Sequence, residues 1–320
     1  MKDMLGNGLL VSEGENHRIQ KRGLLPAFTR RQINLLYPVF CAKARETIMA
    51  MTTSLSSGDG SEMDIANWAS RYALDVIGLA GFAKDFGAIH NPSNDLVKTY
   101  KIVFDITKQK RALFFLGALL PWKIVRTLPL KHNRDFSQAT KTIRDICQEI
   151  IQDKRAMSNK SSMQKTDLLS IAMESRNFSD EDLVDQVMTF LGAGHETTAS
   201  ILTWAVYALA LHPEIQQQLR EEIRNSLVPL HSGSDYSSDT INRLPFLQAV
   251  CNEVLRMFPP VRLTMREAAR EFLIQGVTIP CGTKIMVSSY ATNMDENLWG
   301  PDAADFNPYR WLIKDEERKQ

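Results

Sequence analysis

Cysteine is scarce in this chain of 320 residues: Cys41, Cys147, Cys251 and Cys281 stand far apart and form no C-x-x-C pair. That spacing argues against a zinc site or a dense disulfide framework and leaves reduced thiols as the default. A surplus of charge is also missing, since 38 Lys and Arg face 37 Asp and Glu for a formal net charge of +1. With no basic stripe, no nucleic-acid partner is expected. Long apolar runs are absent as well. The longest, ALFFLGALLPW at 112–122, is too short to span a bilayer, and the glycine-rich start MKDMLGNGLLVSEGEN is neither a signal peptide nor a spanning helix. Lys108, Lys110 and Arg111 precede the 112–122 run, and Lys123 and Arg126 follow it. It reads either as a buried helix end or as a possible contact with a membrane surface.

What is present is apolar content of 44%, enough for a sizeable core in one large domain or two. Apolar spacing near 3.6 predicts helices over 33–55, 64–82, 94–117 and 133–157. Ser- and Gly-rich stretches at 52–61, 158–166 and 228–239 read as surface loops. Beyond Pro259 the texture changes to short β-prone runs, broken at Gln275-Gly276 and Cys281-Gly282, which predict small hairpins. The fold class is mainly α with a minor β part.

Residues 190–200, FLGAGHETTAS, sit inside a helix that Ser179 opens and Pro213 closes, with acids at 180–182 on the positive helix end. At 1.5 Å per residue that helix is roughly 50 Å long. Gly192 and Gly194 each cost about 1 kcal/mol against alanine in a helix interior. Thr197 and Thr198 add weaker penalties and invite a local bulge or bend. Two readings stand. Something flat and rigid lies against the helix, with Glu196 and Thr197 placing a carboxylate and a hydroxyl beside it, or the glycines let another helix pack closely. A zinc H-E-x-x-H helix is excluded, because the second histidine position, 199, holds alanine.

Two further signals follow. In NEVLRMFPPV (252–261), Glu253 and Arg256 stand at i,i+3 on a helix ended by Pro259 and Pro260. On a helical wheel Phe246, Leu247, Val250, Val254, Met257 and Phe258 fill an apolar arc of about 120°, and Glu253 lies roughly 20° from its edge. Such a carboxylate is partly buried and needs its arginine and another donor. DFNPYRWL (305–312) supplies Arg310, so a Glu253–Arg256–Arg310 cluster is expected to lock the helix to this later loop; alternatively Arg310 is an unrelated surface residue.

Taken in order, A-G-x-E-T, then E-x-x-R, then F-x-P-x-R-W resemble the haem-thiolate monooxygenases, the cytochrome P-450 superfamily, of eukaryotic microsomal type. ENHRIQKRGLLPAF (15–28), LPFLQAVCNEVLRMFPP and IPCGTKIMV extend the likeness over nearly the whole chain. The resemblance implies haem b (iron protoporphyrin IX) against the long helix. Ala193 and Gly194 would allow its close approach, and Glu196 and Thr197 would form the acid–alcohol pair that delivers protons to dioxygen. His17 and Lys21 stand where the family has tryptophan and arginine toward the haem propionates, and Arg266 matches a further propionate-binding arginine. Phe190, Val261 and Thr264 would face the substrate. Glu253, Arg256 and Arg310 would be structural.

The resemblance further implies a lipophilic substrate, electrons from NADPH–cytochrome P-450 reductase, and the cytosolic face of the endoplasmic reticulum membrane. It makes residues 1–320 one incomplete domain, lacking the family's N-terminal anchor, its first β-strands and the cysteine-ligand loop F-x-x-G-x-R-x-C-x-G. None of the four cysteines lies in that loop pattern, so no metal ligand is assigned. The alternative is a non-catalytic truncated fragment, either pseudogene-like or a helical protein that binds hydrophobic ligands or partners without turnover.

Overall fold

A computed structural model describes residues 2–57, 62–104, 130–158, 166–227 and 236–312. In chain order the helices are α1 (Lys2–Leu5), α2 (Gly14–Leu24), α3 (Arg30–Asn34), α4 (Tyr37–Ser57), α5 (Ile65–Phe82), α6 (Asp95–Phe104), α7 (Lys131–Ser158), α8 (Leu168–Glu174) and α9 (Asp180–Leu211). There follow α10 (Pro213–Ser226), α11 (Ser238–Asn242), α12 (Pro245–Met257), strands β1 (Thr264–Glu267), β2 (Phe272–Ile274), β3 (Val277–Ile279) and β4 (Lys284–Val287), and helices α13 (Ser289–Asn293) and α14 (Glu296–Trp299). The fold is mainly α, with two small antiparallel sheets near the C-terminus, as the sequence leads one to expect.

Local chemistry sets the helix ends. Asp64 caps α5 by accepting from the Asn67 N–H at 3.0 Å. Ser179 caps α9 by accepting from the Asp182 N–H at 3.2 Å, while the Asp182 carboxylate accepts from the Ser179 N–H at 2.9 Å. This reciprocal pair satisfies two otherwise orphaned donors. Pro213 begins α10 instead of merely ending α9, since a first-turn proline lacks only an N–H that would be unpaired anyway.

Three expectations need correction. The stretch 52–61 is not all loop, because α4 runs on to Ser57. Thr52, Thr53 and Ser56 each donate a hydroxyl to the carbonyl four residues earlier, at 2.8–2.9 Å, so their polar groups are satisfied within the helix. Likewise Ser238 and Asp239 open α11. Lastly, α9 runs as unbroken α-helix past Thr197 and Thr198, without a bulge. The run 112–122, most of the expected loops 158–166 and 228–239, and the end of the helix expected over 94–117 lie outside the described residues. Among the described residues no helix is long and apolar enough to cross a membrane.

The chain forms two compact units, Met1–Glu196 with Asp235–Ser237, and Thr197–Ser234 with Ser238–Gln320. In the first, α5, α6, α7, α8 and the N-terminal half of α9 bury a core that includes Leu74, Tyr100, Ile143, Leu169, Val187 and Leu191. Asp75, fully buried, accepts from the Ala88 and Ile89 N–H groups at 2.8 and 2.9 Å and pins the loop after α5. Thr189 Oγ1 donates to the Leu5 carbonyl at 2.5 Å, and the Leu9 N–H donates to Gln186 Oε1 at 3.1 Å, so the N-terminal segment is tied along α9.

The second unit has a smaller core of Ala208, Ile215, Leu219, Phe246, Val250, Val254 and Phe306. In its β part, β2 and β3 form a hairpin whose turn, Gln275-Gly276, has positive φ at both positions (47° and 81°), as a tight two-residue hairpin turn requires. β1 pairs with β4 across that hairpin, with Arg266 opposite Ile285. The break at Cys281-Gly282 therefore leads into β4 and does not close a second hairpin.

Candidate active site

Helix α9 has two unlike faces at the stretch that raised the question. Leu191, His195 and Ala199 are buried, whereas Phe190, Ala193 and Thr197, which share the neighbouring face at i, i+3 and i+7, are only half-buried. The Phe190 ring lies 5.7 Å from that of Phe28. Glu196 is also half-buried.

The glycines have a structural account. A Cβ on Gly194 would come within 2.9 Å of Ile77 Cδ1 on α5, and one on Gly192 within 2.8 Å of Leu5 Cδ2. Both positions thus let neighbours approach the α9 backbone, which was the second of the two readings. The small residue left beside Glu196 and Thr197 on the half-open face is Ala193.

His195 is a site the sequence did not single out. It is 1% exposed, with Nε2 2.7 Å from Ser70 Oγ on α5 and its ring 5.1 Å from that of Tyr100 on α6. Its Nδ1 is buried without a hydrogen bond, and Glu196 Oε1 lies 3.5 Å from it. Burial pushes the imidazole pKa down to about 4, so the ring is neutral at ordinary pH. The Tyr100 hydroxyl is likewise buried without a partner, and burial raises its pKa well above the usual value. No periodicity could have marked this pair, because Ser70 and His195 meet only when α5 and α9 pack.

The cations expected at a haem edge are accessible. The Lys21 side chain, on α2, makes no hydrogen bond or ion pair among the described residues, and His17 is half-buried on the same helix. In the second unit, the Arg266 side chain on β1 donates, among the described residues, to the Met265 carbonyl alone, at 3.0 Å. Around it Val261 (54% exposed), Leu263 and Met265 lie open, and Thr264 is half-buried.

Glu253, Arg256 and Arg310 come together in the second unit. Glu253, on α12, is wholly buried, more than the wheel expected. Arg256 forks onto it, with Nε to Oε2 at 2.9 Å and Nη2 to Oε1 at 2.8 Å. Arg310 Nε reaches Oε1 at 3.1 Å, the Asn307 N–H reaches Oε1 at 2.9 Å and Trp311 Nε1 reaches Oε2 at 2.9 Å. Arg256 also donates to the carbonyls of Asn293, Ala303 and Asp305 at 2.6–3.0 Å, and Arg310 holds Asp302 at 2.9 Å. Burial works against the Glu253 charge, but the Arg256 fork and the Asn307 and Trp311 N–H groups outweigh it and hold the carboxyl below its usual value. Trp311 and Asn307 were not foreseen, although both lie within the quoted DFNPYRWL.

Comparison with known proteins agrees with this arrangement. The family model for cytochrome P-450 matches residues 1–320. The chain is 42% identical to the cytochrome P-450 monooxygenase sphH of Aspergillus fumigatus, over 98% of this chain and 59% of that protein. It is 41% identical to a cytochrome P-450 monooxygenase of Alternaria alternata, over 98% of this chain and 57% of that one. A solved cytochrome P-450 crystal structure superposes with a TM-score of 0.80 at 25% identity, covering 99% of this chain and 67% of that chain.

The chain belongs to the cytochrome P-450 family. It is similar to fungal monooxygenases and spans somewhat under 60% of the length of the two named here. These relatives do not favour the non-catalytic reading.

The family implies haem, and the residues present fit it in kind. Ala193 offers a small side chain on a half-open helix face, Lys21 and Arg266 are cations without a carboxylate partner among the described residues, and Arg266 is set in open apolar surface. An apolar ring with anionic edges calls for that combination.

Proposed function

We propose that residues 1–320 belong to one haem-thiolate domain and serve the insertion of one oxygen atom from O2 into a lipophilic small molecule. Haem b, when bound, supplies the oxygen-activating chemistry. This chain's residues hold and protonate. Lys21, Arg266 and, more weakly, His17 bind the propionates; lysine keeps the charge but lacks the bidentate fork of the family's arginine. Ala193 and Gly194 belong to the stretch of α9 that the ring approaches. Glu196 and Thr197 move protons toward dioxygen, the carboxylate as source and the hydroxyl as relay. Phe190, Val261 and Thr264 line the substrate side, and apolar walls of that sort orient a lipophilic molecule. Glu253, Arg256 and Arg310 brace the second unit. None of the chain's four cysteines ligates the iron. Electrons come from NADPH–cytochrome P-450 reductase at the cytosolic face of the endoplasmic reticulum, with segment 112–122 as a contact with the membrane surface.

One observation carries most of this reading: Arg266 stands on the exposed strand β1 beside the open apolar side chains of Val261, Leu263 and Met265, with no ion-paired acid among the described residues. The test is haem titration of the chain, followed by reduction under carbon monoxide. Binding is expected, weakened several-fold in Arg266→Ala and in Lys21→Ala, with no thiolate-type Soret band. A chain that takes up no haem overturns the cofactor assignment, and a thiolate-type band overturns the statement about the cysteines.

A further inference from the structure

The strongest unexplained feature lies within the first unit. A buried histidine uses one nitrogen and leaves the other bare of hydrogen bonds, one residue from the carboxylate proposed to handle protons. A buried polar nitrogen without a partner is costly, so its persistence asks for a reason.

We propose that His195 is a positioning residue for Glu196: the Ser70 hydroxyl donates to Nε2, which puts the ring proton on Nδ1 and aims it at the Glu196 carboxylate. The inference rests on the proton-handling role assigned to Glu196 above.

Electrostatics select the tautomer. If Nε2 carried the proton, the buried Nδ1 lone pair would face an oxygen of the half-buried carboxylate 3.5 Å away, a repulsive contact. With the proton on Nδ1 the same contact is attractive and needs only a small rotation to become a hydrogen bond. Ser70 can supply the matching donor at 2.7 Å, and it comes from a different helix, so the ring is held from α5 and points along α9. The groups facing His195 are few. From α5 there is the Ser70 hydroxyl, from α6 the Tyr100 ring, and from α9 itself Glu196. Burial, which keeps the imidazole neutral down to about pH 4, makes it a fixed donor across the working range and not a switch.

Two measurements on the full chain test this, neither needing substrate or haem. Side-chain nitrogen-15 spectra report the tautomer: His195 is expected as Nδ1–H between pH 5 and 8. Ser70→Ala should abolish that preference, and Ser70→Thr, which retains a hydroxyl, should preserve it. Carbon-13 titration of the Glu196 carboxyl reports the consequence. His195→Phe should raise its midpoint by about one pH unit, the size expected for losing one hydrogen bond to a charged group. Ser70→Ala should give a smaller rise in the same direction, and Ser70→Thr none.

An Nε2–H histidine in the wild type, a spectrum unchanged in Ser70→Ala, or a Glu196 midpoint indifferent to both Ser70→Ala and His195→Phe overturns the proposal. If instead the nitrogen and carbon signals behave as expected while the chain binds no haem, the positioning stands and the proposed function falls.

Discussion

Two of the buried polar clusters among the described residues are built to opposite rules. Around Glu253 both carboxylate oxygens are answered, by two arginines, an indole and a backbone N–H, and the arginines in turn exhaust their donors on carboxylate and carbonyl oxygens. Around His195 the ring has one hydrogen-bond partner among the described residues, and Nδ1 and the Tyr100 hydroxyl have none among them. A saturated network fixes geometry and has nothing left to offer a ligand or a proton. An unsaturated one keeps a donor in reserve. On the reading proposed above, the contrast separates a brace from a working site.

The comparison can be broken or sharpened by mutation. The largest effect is expected at the brace. Arg256→Ala strands a buried carboxylate and several carbonyls, and chemical denaturation should show a loss of about 3–5 kcal/mol. A loss below 1 kcal/mol would mean that the cluster is not holding the second unit together. The next effect separates the two clusters by pH. His195 has a folded pKa of about 4 against an ordinary 6.5. Between those values the unfolded chain takes up a proton that the folded one refuses. Stability is therefore complete above pH 6.5, falls as pH drops toward 4 and levels off below, a span on the order of 3 kcal/mol. In His195→Phe that slope should vanish. Glu253 acts elsewhere: its carboxyl is held below its ordinary 4.5, so its contribution is present above that pH and fades only as pH falls through the lowered folded value. Urea midpoints measured from pH 8 to 3 would resolve the two windows.

The smallest effect concerns Gly194. Alanine there gains about 1 kcal/mol of helix propensity but must displace Ile77, so Gly194→Ala should change stability by less than about 1 kcal/mol. Adding Ile77→Val, which removes the Cδ1 atom 2.9 Å from the new Cβ and leaves Cγ1 at 3.0 Å, should make the alanine less costly than it is alone. Without positive coupling in that double-mutant cycle, close helix packing is not the reason for this glycine.

Much of this was legible in the residues. Ser179 followed by the acids at 180–182 placed the start of α9, and Gln275-Gly276 a hairpin turn, because caps and tight turns are chemistry within four or five residues. The apolar arc around Glu253 marked a buried acid, and DFNPYRWL its second arginine. The roles of Trp311 and Asn307 were not legible, since nothing in sequence spacing says which N–H groups a loop turns inward. Nor was the run of α4 through Thr52 and Ser56, where side chains bonding back to their own helix stand in for loop contacts.

Local pattern and motif order, then, sufficed for family, for helices and hairpin, and for the existence of a carboxylate–guanidinium brace, since each depends on neighbours along the chain or on a shared ordered signature. Packing alone decided that Gly194 serves Ile77, that Glu253 is buried to the last oxygen, and that Ser70 finds His195 across 125 positions. Those are contacts between side chains on different helices, and which helix faces meet is settled only when apolar surface is buried in three dimensions.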